Sequence, residues 1–288
     1  METSELLKKV RAIEIKSRGL SNQIFSGEYH SAFKGRGMAF SENREYQHGD
    51  EIRTIDWNVT ARMGHPYVKV FEEERELTVM ILVDVSGSES FGTRKQLKRH
   101  LITEVTAVLA FSAIQNNDKI GVIFFSDQIE KFIPPKKGKS HILRIIRELI
   151  NFEAEHKGTN IKAALDYLNG VIKKRSICFV LSDFEDRGFE DALKIANKKH
   201  DIVALHIEDP AELELPNLGL VKVVDNESGQ AKWINSSSAA VREKFGIQRK
   251  IHRKKLLDTF RKSGVDHASL ATDRSYVQPL MTLFKKRG

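Results

Sequence analysis

Apolar positions along the chain fall into two textures. Residues 1–76 are polar, glycine-punctuated and poor in long apolar runs, whereas residues 77–288 alternate apolar runs with amphipathic stretches. Leu77 to Val85 is nearly continuous in apolar character, the signature of a strand covered on both faces. From Thr93 to Asn116, Leu97, Leu101, Val105, Val108, Leu109 and Ala113 recur at three-to-four spacing, which predicts a helix. Lys119 to Ser126 (KIGVIFFS) predicts a second buried strand, and Ile129 to Ile133 a short edge strand stopped by Pro134 and Pro135. Helices are expected over Ser140–Phe152, Asn160–Val171 and Phe189–Lys199, with strands over Ile177–Ser182 and Ile202–Ile207. Leu220 to Ile234 reads as a hairpin around Asn226–Gly229, followed by a long basic helix, a strand near His267–Leu270 and a final helix.

Strands alternating with helices imply a mostly parallel α/β sheet with helices on both faces. A small N-terminal subdomain over residues 1–76, an initial helix followed by short strands and turns, would precede this 77–288 domain. In such sheets ligands bind beyond the carboxyl ends of the strands, so the polar residues there carry the functional information. The first buried run ends in Asp84-Val85-Ser86-Gly87-Ser88, and Ile177–Ser182 is followed by Asp183. Between them, Gly158-Thr159-Asn160 opens a helix. The hydroxyls of Ser86, Ser88 and Thr159, with Asp84 and Asp183 acting directly or through water, form an oxygen set suited to Mg²⁺, or to Mn²⁺ or Ca²⁺. With so few carboxylates the ion stays electrophilic, and an open position favours an Asp or Glu from another protein. Each segment also has a plain structural reading: an Asx or Ser turn at 84–88, a helix cap at Thr159 and a turn residue at Asp183.

Asp84-x-Ser86-x-Ser88, Thr159 in a GTN loop and Asp183 in LSDF match the metal-ion-dependent adhesion pattern of von Willebrand A-like domains. The upstream stretch EYQHGDEIRTIDWNVTARMGHPYVKVFEEERELTVMILVDVSGS resembles the bacterial domain-of-unknown-function family 58, and the resemblance covers roughly residues 20–210. Members of that family often accompany MoxR-type AAA+ ATPases and other von Willebrand A-like proteins. The resemblance therefore implies an adaptor or chaperone-like partner of such an ATPase. Some relatives carry N-terminal transmembrane helices, a feature not carried over to this chain.

Within the upstream block, Gly35 and Gly37 mark a tight turn. Asp50 and Asp56 stand where helix N-caps belong. Arg44, Arg53 and Arg62 are expected to join these two Asp residues in one ion-pair network, with Trp57 burying its ring. The alternative is a second recognition surface formed by the same residues.

Composition narrows the picture. The chain has 288 residues with 40% hydrophobic content, enough for one sizeable core and a smaller satellite. No apolar run approaches the ~18 residues needed to span a bilayer. The N-terminus lacks a signal-peptide core, and Cys178 is the only cysteine, so a cytoplasmic location is expected. The formal net charge is +8, with the excess gathered late in the chain. Arg249, Lys250, Arg253, Lys254 and Lys255 form the densest part of a basic 242–262 segment, read either as a surface for nucleic acid or anionic lipid or as a solvated helix face. No RNA-binding motif accompanies the charge, which makes nucleic acid the less favoured partner.

Enzyme signals are weak. Gly87 and Gly92 have phosphate-loop spacing, but Thr93-Arg94 follows where Lys-Ser/Thr is required. Gly138-Lys139-Ser140 lacks the first glycine, with Ile133 in its place. DVSGS is not a nucleophile elbow. Metal-assisted phosphoester hydrolysis remains as a third function class, without an evident general base.

Overall fold

The computed structural model describes residues 3–25, 38–73, 77–90, 97–224 and 231–287. In chain order the elements are α1 (Thr3–Phe25), β1 (Met38–Glu45), α2 (Trp57–Met63), β2 (Tyr67–Glu73), β3 (Thr78–Asp84), α3 (Lys98–Gln115), β4 (Lys119–Phe125) and β5 (Ile129–Lys136). They continue as α4 (Lys139–Asn151), α5 (Ile161–Val171), β6 (Ile177–Ser182), α6 (Glu190–Lys199), β7 (Asp201–Glu208) and α7 (Pro210–Leu213). The last are β8 (Leu220–Val224), β9 (Ala231–Asn235), α8 (Ala239–Lys262), β10 (Asp266–Ala271) and α9 (Val277–Arg287).

The main sheet has six strands in the order β10-β7-β6-β3-β4-β5. All neighbours pair in parallel except β5, which runs antiparallel along β4. Side chains of a strand alternate between faces, and here both faces are covered. Met80, Leu82, Cys178, Val180, Ile202 and Ala204 share one core cluster with residues of α5, α6 and α8. The intervening residues point the other way, where Phe179 meets Phe284 of α9 edge to face at 6.3 Å. Double coverage is why these strands read as unbroken apolar runs.

Two expectations change. The prolines do not stop β5, which runs on to Lys136. Its pairing passes from Val122–Ile133 to Ile120–Lys136 through a register shift, so an edge strand absorbs two residues without ladder N–H groups. Gly121 lies opposite them, and a side chain there would come within 2.8 Å of the Pro135 nitrogen.

Secondly, the chain divides into Lys34–Leu77 and a larger unit formed by Met1–Phe33 with Thr78–Gly288. Helix α1 therefore goes with the α/β unit and not with a first unit of residues 1–76. Its Val10, Ser17, Ser21 and Ile24 lie on one buried face, and it packs against α3, α4 and α9. Ion pairs Lys16–Glu104 and Glu14–Lys139, both 2.6 Å, flank that face. Cover from α1 also explains why α3 is buried nearly all round, from Leu101 to Ala113.

The smaller unit holds β1 and β2 as an antiparallel pair, with α2 between them in sequence. Asp56 caps α2 by accepting from the Asn58 and Val59 amides, and Gly64 ends it in a left-handed conformation at φ 75°. The turn read at Gly35 and Gly37 lies outside the described residues, as do the start of the helix expected from Thr93 and the tip of the β8–β9 hairpin.

Candidate metal-binding site

β3 and β6 lie side by side at the centre of the sheet, and the strand order reverses between them. A crevice forms beyond their carboxyl ends at such a switch point. Asp84 closes β3 and is 1% exposed. Its Oδ1 accepts from the Ser86 amide at 2.9 Å, and its Oδ2 accepts from the Ser182 hydroxyl, at the end of β6, at 2.6 Å. The first bond folds the chain back at once, so that the Ser86 and Ser88 hydroxyl oxygens stand 3.0 Å apart. Asp183 is 2% exposed and accepts from the Ser88 hydroxyl and, at 3.3 Å, from the Glu185 amide.

The loop before α5 joins this group through backbone bonds. The Gly87 amide donates to the Lys157 carbonyl at 2.9 Å, and the Asn160 amide to the Ser126 carbonyl at 2.8 Å. The Ile161 amide donates to Asp186 Oδ2 at 2.8 Å. Thr159 is thus held between two anchored residues. It is not the cap of α5: Asn160 fills that role, its side chain accepting from the Ala163 amide at 2.9 Å. Segments 84–88, 157–161 and 183–186 therefore meet at one end of the sheet.

Sequence reasoning missed Lys98. Its Nζ, with no solvent exposure, lies 2.9 Å from Asp183 Oδ2 and 2.6 Å from Glu212 Oε1. A signal was present: Lys98 precedes Leu101, Ile102 and Val105 by three, four and seven positions, which puts it on the buried stripe of α3. The two aspartates respond differently to their surroundings. Burial, reinforced by the charge of Asp183, pushes the Asp84 carboxyl up to about 7. Asp183 is also penalised by burial, but the Lys98 ammonium holds it below the ordinary carboxylate range. The paired Ser86 and Ser88 hydroxyls beside two buried carboxylates are oxygen donors of the kind that a hard divalent ion takes.

A cleft of about 230 Å³ opens beside the site, with Ser86, Gly87, Arg99, Phe152, His156 and Lys157 in its walls. His156 stands 3.3 Å from Asp127. His206 is buried, and burial drives its ring down to about 3. Cys178 is buried within β6, and burial pushes its thiol well up, as befits an inert core residue.

The basic segment divides by role. Arg249 binds Glu185 at 2.8 Å and donates to the Glu212 carbonyl at 2.7 Å, and Arg253 binds Glu208 at 3.1 Å. These two guanidiniums are engaged with acids around the strand ends. Lys250, Lys254 and Lys255 are exposed along α8.

In the smaller unit the expected single network is not formed. Arg44 and Asp50 make a two-pronged pair at 2.7 and 2.8 Å, while Asp56 pairs with Lys69 at 3.5 Å. Among the described residues Arg53 and Arg62 join neither pair. Asp50 is not a cap, because Arg44 and the Gln47 amide occupy its carboxylate. Trp57 is 67% exposed rather than buried, at the start of a two-turn helix that has no buried residue.

The order and parallel pairing of the sheet define a doubly wound α/β domain with one antiparallel edge strand. The chain belongs to the family described as protein of unknown function DUF58, whose model matches residues 42–255. Along its full length it is 28% identical to the uncharacterized proteins Rv1480 of Mycobacterium tuberculosis and Mb1516 of Mycobacterium bovis, covering 91% of each. Among solved structures, the conserved hypothetical protein BatB from Bacteroides thetaiotaomicron is similar with a TM-score of 0.48 and 16% identity, over 73% of this chain and 98% of that one. The VWA domain of SpRpn10 is similar with a TM-score of 0.37 and 12% identity, over 73% of this chain and 95% of that one. Among the described residues no helix is long and apolar enough to cross a membrane.

Proposed function

We propose that this chain is a protein-interaction module that grips a carboxylate of its partner through a divalent cation. Ser86, Ser88 and Thr159 would hold the ion, with Asp84 and Asp183 beside it directly or through water; Mg²⁺ suits this set, with Mn²⁺ or Ca²⁺ as substitutes. The observation that carries the reading is the convergence of the Ser86 and Ser88 hydroxyls, 3.0 Å apart, against two buried carboxylates at the switch point of the sheet. When bound, such an ion supplies Lewis acidity toward an Asp or Glu side chain. The cleft beside it, walled by Arg99, Phe152 and His156, leaves room for the residue that carries that carboxylate.

Family resemblance suggests the kind of partner: a MoxR-type AAA+ ATPase or a second von Willebrand A-like protein, served by this chain as an adaptor. A catalytic role has less support. His206 is buried, which removes it as a general base for metal-assisted hydrolysis. Binding of an anionic surface through α8 is weakened by the engagement of Arg249 and Arg253 in ion pairs.

The test is affinity capture from native lysate with and without EDTA, repeated with Thr159→Ala and Ser88→Ala. The reading expects a captured protein that is lost with chelator and in both variants. Capture unchanged in excess chelator removes the metal bridge.

A further inference from the structure

Lys98 opens α3 with no solvent exposure, and its ammonium is shared between Asp183 and Glu212. A lysine is almost never fully buried unless its charge is paired. The two partners belong to different parts of the fold. Asp183 follows β6 at the candidate metal site. Glu212 lies in α7, where its side chain accepts from the Asp209 amide at 3.1 Å in a capping box. The other carboxylate of the site, Asp84, has hydrogen-bond donors in Ser86 and Ser182 but no ion pair among the described residues.

Resting on the metal-site reading above, we propose that Lys98 is the resident counter-ion of this site and sets how strongly it holds a divalent cation. The ammonium takes up part of the charge that Asp183 would otherwise present to the ion, and its own positive charge opposes a second cation nearby. Both effects lower metal affinity. They also leave a bound ion less neutralised by its own ligands, and so more attractive to an outside carboxylate. Glu212 works in the opposite sense. By drawing the ammonium toward α7 it leaves more of the Asp183 charge for the metal. Arg249 of α8 donates to the Glu212 carbonyl at 2.7 Å and pairs with Glu185, two residues beyond Asp183, so α7 is held in place beside the site.

This arrangement predicts shifts of opposite sign from two variants. Titration calorimetry of the full chain with MgCl₂, and with MnCl₂ as a second probe, compares the wild type with Lys98→Met and Glu212→Gln. Lys98→Met is expected to bind Mg²⁺ about tenfold more tightly, the scale on which a neighbouring charge alters a carboxylate. Glu212→Gln is expected to bind it several-fold more weakly, because more of the ammonium charge then falls to Asp183. Thermal melting by circular dichroism accompanies each titration, and Lys98→Met should regain stability on adding Mg²⁺. If Lys98→Met does not fold, the weakening in Glu212→Gln, whose side chain is 20% exposed, carries the test alone. Equal affinity in all folded proteins overturns the counter-ion role and leaves the metal site standing. Binding by Lys98→Met but not by the wild type supports the counter-ion role and overturns the divalent ion as the native occupant. No binding by any of the three overturns both.

Discussion

The Ser182 hydroxyl donates to Asp84 Oδ2 at 2.6 Å and ties together the carboxyl ends of two neighbouring parallel strands. The bond satisfies one oxygen of a buried carboxylate while the Ser86 amide satisfies the other. Ser182→Ala leaves that oxygen unpartnered in the core, which costs about 1–3 kcal/mol. Urea unfolding monitored by circular dichroism checks the loss. An unchanged midpoint would mean that Asp84 finds another donor.

Divalent cations should stabilise the protein, because the two buried aspartates share too little positive charge. At a concentration 100 times its dissociation constant a ligand adds about 2.7 kcal/mol. Melting temperature is therefore expected to rise with MgCl₂ and to return to its starting value with EDTA. The rise should be absent in the Ser86→Ala, Ser88→Ala double variant, which keeps both carboxylates but loses the paired hydroxyls.

Acid should destabilise the fold through its buried histidines. His200 is fully buried, with Nδ1 2.9 Å from the Ser176 hydroxyl, and burial pushes its ring down to about 4. The same cause lowers His206 to about 3. Unfolded, each ring takes up its proton near pH 6.5. Between these limits each of the two rings binds more protons in the unfolded chain than in the native one. The stability that these two neutral rings contribute above about pH 6.5 is thus lost as pH falls toward 4, at about 1.4 kcal/mol per pH unit for each, and the raised Asp84 carboxyl works in the opposite sense. Unfolding free energies measured across this window should show a slope reduced by one proton in His200→Asn. A slope equal to that of the wild type would contradict a neutral buried ring.

Gly121→Ala tests the edge of the sheet. The added methyl would meet the Pro135 nitrogen at 2.8 Å, the Ile133 carbonyl oxygen at 2.9 Å and Met80 Sδ at 2.9 Å. Two of these contacts are backbone atoms that cannot swing away. Overpacking of this kind costs about 1–3 kcal/mol, to be read from the shift in the urea midpoint.

The residues of α8 should separate by role. Arg253→Ala leaves Glu208, which is 8% exposed, without its cationic partner and should destabilise by about 1–3 kcal/mol. Lys250→Glu, Lys254→Glu and Lys255→Glu, on exposed positions, should each stay within about 0.5 kcal/mol of the wild type. Parallel urea titrations distinguish the two groups.

Much of the α/β framework was legible in the order of residues. β6 was read at Ile177–Ser182, and β3, β4 and β7 to within a residue or two, because strands covered on both faces must be apolar throughout. The segments bearing Asp84, Ser86, Ser88, Thr159 and Asp183 were legible for a related reason: each follows a buried strand or opens a helix, and strand ends of a parallel sheet gather on one side. Edge behaviour was harder to read. Pro134 and Pro135 normally interrupt a ladder, and only the register shift against β4 explains why β5 continues past them.

The sequence by itself determined where most of the strands and helices lie and which oxygen-bearing residues follow the strand ends, since these follow from local periodicity and chain direction. Tertiary structure alone decided the pairing of charges. Lys98 and Asp183 are 85 residues apart, and Arg253 and Glu208 are 45 apart, so no spacing rule links them. It also assigned α1 to the α/β unit and turned Trp57 outward. The physical reason is that a buried charge is tolerable only beside its counter-charge, and which counter-charge that is depends on packing between distant segments.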